Sequence, residues 1–129
     1  MSLVLTYLLW SVFLAVLYLN AHGILLRMNI GFGPDVANRD QVPELDVRAQ
    51  RAKRAFANLL ETWPMFIALV VVAELSGRQG WLITWGTIIW FWARVGYLPC
   101  YIFGWGQLRS AVWTVALIGL AMMFVGLLL

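Results

Sequence analysis

The chain has one cysteine, Cys100, and one histidine, His22, in 129 residues. A single thiol excludes an internal disulfide and any thiolate-rich metal site. One imidazole cannot supply the rest of a ligand set, so His22 is read as facing a neighbouring helix or the interface. Cys100 follows Pro99 with no base in view to activate it, which makes it a packing residue. Charge is scarce as well, with Asp, Glu, Lys and Arg together at 12%. No basic stretch precedes the first apolar run, and that run outlasts the usual h-region of about 7–15 residues. It therefore reads as a retained span and not as a secretory signal. No internal repeat and no low-complexity tract is visible.

What fills the chain instead is apolar surface. Hydrophobic residues make up 63% and mean hydropathy is +0.83, against roughly 45–50% apolar residues in ordinary soluble domains. A soluble domain this small has too little interior to hide such a share, so the chain belongs in a bilayer. Four apolar runs, about 3–26, 55–73, 81–103 and 111–129, are each long enough to cross a hydrocarbon core of about 30 Å at about 1.5 Å per residue. They predict an all-α integral membrane protein, one domain over 1–129, built as a four-transmembrane-helix up-down-up-down bundle.

The second helix is expected to start near 47, outside the membrane, with Asp46 as its N-cap. Ahead of it, Gly31, Gly33, Pro34 and Pro43 argue against a continuous helix, and "ANRD" reads as a turn. Pro64 and Pro99 fall inside spans two and three, where each removes a backbone donor and is expected to bend its helix. Of the eight tryptophans, most belong to interface belts and packing. Trp105 and Trp113 stand apart from these, at the junction of spans three and four.

Basic residues orient the bundle. Arg27, Arg39, Arg48, Arg51, Lys53 and Arg54 cluster in the first connection, whereas the second has only Arg78. By the positive-inside rule the first and third connections are cytoplasmic and both termini lie on the opposite side. The net charge of +3 is accounted for by this topology and does not point to nucleic acid.

One stretch resists a purely topological account. RAQRAKRAFANLLETWP, residues 48–64, runs from a basic cluster into an apolar helix and carries Asn58 and Glu61 in with it. On a wheel of about 100° per residue, Arg51, Arg54, Asn58 and Glu61 share an arc of about 80°. On span three, Arg94, Tyr97 and Tyr101 form a second stripe, and Arg109 and Ser110 stand at the start of span four with Trp113 one turn deeper. All three stripes fall in the same half of the bundle. Glu61 and Arg94 reach similar depth, where an unpaired charge costs at least roughly 2.5–3.5 kcal/mol. They are expected to pair with each other or to be bridged by a polar ligand. Several arginines beside one carboxylate, an amide and two phenols suit a compact zwitterion with excess negative charge, because guanidinium forks match carboxylates. The plain alternatives are a buried ion pair that fixes helix register and arginines that meet only lipid headgroups.

The pattern R-x-x-R-A-x-x-N-x-x-E-x-x-P, formed by Arg51, Arg54, Ala55, Asn58, Glu61 and Pro64, resembles that of the membrane-associated proteins in eicosanoid and glutathione metabolism, the MAPEG family. A second block, ARVGYLPCYIFGWGQLRSAVW, resembles the family's third-helix arginine and paired tyrosines followed by an arginine at the fourth helix. The overall flavour is similar to bacterial members, which implies a bacterial inner membrane. The resemblance implies a homotrimer with sites between adjacent subunits and glutathione as co-substrate, with no metal. It implies that Arg54, Asn58, Glu61, Arg94, Tyr97 and Tyr101 bind glutathione, with Arg51 nearby and Arg27 at the end of span one. Arg109 would stabilise the thiolate, with Ser110 as a hydrogen-bond donor, and a lipophilic electrophile or lipid hydroperoxide would arrive from the bilayer. Gln50, Phe56 and Ala57 depart from residues often found in better-studied members. Two other functions compete. One is a non-catalytic glutathione- or lipid-binding member. The other is a small proton-coupled multidrug antiporter, suggested by four short spans and one intramembrane carboxylate.

Overall fold

The computed structural model describes residues 1–30 and 47–129. Among these residues the chain forms four helices and no strand: α1 (Leu3–Ile30), α2 (Val47–Ser76), α3 (Trp81–Ile102) and α4 (Gly106–Leu128). The expected turn at "ANRD", the Asp46 cap, Arg39, and the glycines and prolines at Gly31, Gly33, Pro34 and Pro43 lie outside the described residues. Successive helices alternate in direction. Ser2 Oγ at the head of α1 donates to Glu74 Oε2 at the foot of α2, 2.9 Å away. Arg51 in the first turns of α2 reaches Ile102 at the end of α3, and Gly126 near the end of α4 lies against Ile83 near the start of α3.

Three helices, α1, α2 and α4, are long and apolar enough to cross a membrane. α3 has 22 residues, roughly 33 Å at the helical rise, and so has the length. Its Trp, Tyr and Arg94 side chains lower its hydropathy, and it does not join that set. The apolar pattern alone therefore overstates the uniformity of the four spans.

α2 continues without interruption through Pro64, and α3 through Pro99. α2 stops where Gly77 adopts φ 68°, a left-handed conformation that glycine takes without a Cβ penalty. α3 ends more elaborately, and that end matters for the site. Gly104 takes φ 75°, Gly104 N–H donates to Tyr101 O (3.2 Å), and Trp105 N–H donates to Cys100 O (3.0 Å). This is a Schellman closure, which satisfies carbonyls that a helix end would otherwise leave bare. Arg51 Nη1 donates to the last of them, Ile102 O, at 3.3 Å. α4 then restarts at once, at Gly106, five residues ahead of the apolar run that predicted it.

The closest packing joins α3 to α4. A Cβ at Gly86 would lie 2.6 Å from Gly119 O, and one at Gly119 would lie 2.8 Å from Gly86 O. The two backbones touch, as small residues permit in membranes, where no hydrophobic force drives helices together. Around this contact sit the fully buried Trp90, Phe66, Met123 and Val70. Trp90 stacks on Phe66 with centroids 4.0 Å apart and planes 9° apart, tying α2 to the same core. Leu60, Met65, Val71, Val72, Ile118 and Phe124 are exposed, as expected of surfaces that meet lipid or another apolar partner instead of water.

Candidate active site

At the end of the bundle where α2 and α4 begin and α3 ends, the helices leave a cavity of about 620 Å³. That volume is within the roughly 300–1,000 Å³ of ordinary small-molecule sites. α2 contributes Arg54, Ala57, Asn58 and Glu61; α3 contributes Tyr97 and Tyr101; α4 contributes Arg109, Ser110, Trp113 and Thr114. The spacing explains the selection. Positions 54, 57, 58 and 61 recur every three to four residues, as do 97 and 101, and 110, 113 and 114, so each helix offers one face.

Two guanidiniums, Arg54 and Arg109, and one carboxylate, Glu61, line this cavity, so its lining is positive by formal charge. Arg109 lies in the first turn of α4, where its N–H donates to Trp105 O at 2.7 Å. Its guanidinium stands over the Tyr101 ring, 4.8 Å from the centroid, and Tyr101 meets Tyr97 edge-on at 5.6 Å. The abrupt restart of α4 is what delivers Arg109 to Tyr101. The aromatic face holds the cation by its quadrupole without neutralising it, and the start of the helix adds positive potential of its own. Ser110 and Thr114 present hydroxyls one turn apart, and Thr114 Oγ1 donates to Ser110 O at 2.9 Å. Among the described residues no three His, Cys, Asp or Glu side chains gather as a metal site would need.

A family model described as the MAPEG family matches residues 7–129. The chain belongs to the MAPEG family. Membership carries a membrane setting and, in general terms, a glutathione-related function. No curated protein and no solved structure matches the chain.

Within this MAPEG bundle the sequence-predicted residues divide. Arg54, Asn58, Glu61, Tyr97, Tyr101, Arg109 and Ser110 come together on the cavity. Three arginines do not. Arg94 is 1% exposed and lies behind the cavity wall. Of the two arrangements expected for it, a direct pair with Glu61 or a bridge through a polar ligand, the direct pair is not formed: its Nη2 donates to Asn58 Oδ1 (2.9 Å), Asn58 O (3.1 Å) and Thr62 Oγ1 (2.6 Å). The reason is angular. Asn58 and Thr62 are four residues apart and share the α2 face turned to α3, whereas Glu61 is rotated toward the opening. Arg51 is not a lining residue either: its guanidinium rests against Gly104, where a Cβ would lie 2.7 Å from Nη1, and it closes the end of α3. Arg27 stands in the last turn of α1 and does not line the cavity. Trp113 lines it, whereas Trp105 packs on Phe103 at 5.5 Å. Ala57 and Thr114 were not foreseen as lining residues. Thr114 could have been found from its i+4 relation to Ser110.

Proposed function

We propose that this cavity binds glutathione and holds its thiolate beside Arg109 for attack on a lipophilic electrophile, a transferase reaction, or on a lipid hydroperoxide. The observation that carries the reading is the convergence of Arg54, Asn58, Glu61, Tyr97, Tyr101 and Arg109, from three helices, on one cavity. Glutathione has two carboxylates, one ammonium and a thiol. Two guanidiniums and an amide suit the carboxylates, Glu61 suits the ammonium, and the tyrosines give hydroxyls and flat walls. A free thiol with pKa about 8.5 is mostly protonated at neutral pH, and a neighbouring guanidinium at a helix start favours the thiolate, the competent nucleophile. In conjugation the sulfur forms the new bond to carbon while the leaving group departs, or the electrophile's double bond takes up the proton. Trp113 and the exposed apolar face of α4 give a bilayer-borne substrate a path to that sulfur.

Arg54, Glu61, Ser110 and Thr114 are exposed in the single chain, so the cavity is open on one side. A homotrimer, with the adjacent subunit closing that side, fits this geometry. We further place the cavity at the cytoplasmic end, in keeping with the basic residues that open α2. The test is thiol-dependent loss of chlorodinitrobenzene with purified protein. Measurable turnover supports the transferase. Glutathione binding without turnover of this or of a lipid hydroperoxide would mark a non-catalytic binder. Proton-coupled uptake into vesicles would select the antiporter, which the two guanidiniums beside Glu61 disfavour.

A further inference from the structure

Arg94 is the most deeply buried charge among the described residues. Its carbonyl accepts a hydrogen bond from Tyr18 Oη of α1 at 2.6 Å, its guanidinium lies 4.8 Å from the Tyr97 centroid, and its Nη2 serves α2 through Asn58 and Thr62. Its Nε and Nη1 have no hydrogen-bond partner. A guanidinium has five N–H donors and no acceptor. Whatever atom of the Asn58 amide meets it must therefore be the oxygen. Asn58 also lines the cavity, so with Oδ1 engaged by Arg94, the side-chain NH₂ is the group left to face a ligand.

We infer that Arg94 is a positioning residue that locks the Asn58 amide with its NH₂ toward the cavity, making this subsite, beside Arg54, selective for an acceptor group such as a carboxylate. An unlocked amide would present either end and would accept from donors as readily as it gave to acceptors. The lock rests on the proposed glutathione reading only for the identity of the ligand; the orientation itself does not depend on it. It also separates two roles that the sequence merges, because Arg94 acts on the ligand through Asn58 and never touches it.

The identity of the residue at 94 makes the idea testable. Lysine, like arginine, has donors only and still imposes the oxygen on its side. Glutamine has both a donor and an acceptor and imposes nothing. Glutathione affinity, measured by calorimetry on the full-length protein in detergent, should change by less than about threefold in Arg94→Lys, since one donor suffices, and weaken by about tenfold in Arg94→Gln, the order of one lost charge-assisted hydrogen bond. In an Asn58→Ala background, Arg94→Gln should add no more than about twofold, because there is no amide left to orient. Losses that multiply in the double variant, or an Arg94→Lys loss equal to that of Arg94→Gln, would overturn the assignment.

Asn58→Asp gives an arm that survives if Arg94→Gln does not fold. It supplies Arg94 with a carboxylate, so thermal stability should hold or rise, while the second oxygen turns an anion toward the cavity and glutathione affinity should fall by at least about thirtyfold. Affinity kept within threefold in that variant would equally overturn the lock. If the wild type binds no glutathione, the function reading fails and the lock is judged without ligand. The Asn58 side-chain NH₂ signals, identified by their loss in Asn58→Asp, should shift in the NMR spectrum of Arg94→Lys or Arg94→Gln; signals that stay put in both would remove Arg94 from any positioning role.

Discussion

The α3–α4 pair is built in two different ways along its length. In the half away from the cavity, Gly86 and Gly119 bring backbone against backbone, with no space for a Cβ, and Gly126 lies tight against the Ile83 and Leu82 side chains. In the other half the same two helices hold Tyr97, Tyr101, Arg109 and Ser110 around an opening. The contrast shows how a thin membrane bundle can afford a polar cavity. Close van der Waals contact at one end fixes the helices, so the other end can hold its guanidiniums around an opening. The arginines follow the same division. Arg54 and Arg109 line the opening, whereas Arg51 and Arg94 serve the frame by closing a helix end and by joining three helices.

The largest expected effect strikes the open half. Arg109→Ala should lower the rate of chlorodinitrobenzene conjugation by roughly 10²–10³-fold, the usual cost of removing a group that stabilises developing or resident negative charge at the reacting atom. Glutathione affinity should change by less than tenfold, since the other contacts remain. Unaltered turnover would take Arg109 out of the mechanism.

Next in size is the closed half. Gly119→Val places methyl groups where a Cβ alone would lie 2.8 Å from Gly86 O and from the Trp90 nitrogen, with both neighbours being backbone. Overpacking of this kind costs about 1–3 kcal/mol or more. A clear drop in melting temperature is expected, and glutathione binding should weaken with it if the closed half holds the open half in shape. On the same helix as Gly86, Gly96 has nothing within 4 Å of its ideal Cβ. Gly96→Ala should therefore leave the melting temperature unchanged or raise it, because glycine weakens a helix by roughly 0.5–1 kcal/mol relative to alanine. Equal losses at Gly119 and Gly96 would erase the distinction between the halves.

Much of this division was readable in the residues, and its limits are physical. Stripes at three- and four-residue spacing found one face on each of α2, α3 and α4, because helical periodicity fixes direction around an axis. Periodicity does not fix which neighbouring helix a face meets. Thus depth and charge set Arg94 beside Glu61, directly or through a ligand, whereas angle and distance give its guanidinium to Asn58 and Thr62. Arg51 carries the same charge as Arg54 on the same stripe. Its work at the end of α3 depends on a Schellman turn some fifty positions away, which no local pattern announces. The early start of α4 is hidden for a related reason: Gly106 to Ser110 is not an apolar run, yet the helix begins as soon as the preceding turn is satisfied.

Glu61 offers a smaller test that sharpens the comparison. It is a lining residue without an ion pair to Arg94, so it belongs to the open half. Glu61→Gln should leave the melting temperature within a degree or two and weaken glutathione about tenfold, the equivalent of about 1.4 kcal/mol for one charged contact to the ligand ammonium. A large stability loss with unchanged affinity would move Glu61 into the frame.

The smallest effect is expected at Arg51, and it tests the other side of the division. Arg51→Ala removes one charge-assisted hydrogen bond to Ile102 O and a cation beside the negative end of α3, while the Schellman bonds to Cys100 O and Tyr101 O remain. Such an interaction contributes about 1 kcal/mol, a shift of a few degrees in melting temperature. Because Arg51 does not line the cavity, glutathione affinity should change by less than threefold, and any change should scale with how far Arg109 moves from Tyr101. A tenfold loss of affinity at unchanged melting temperature would instead place the Arg51 guanidinium on the ligand and return it to the open half with Arg54.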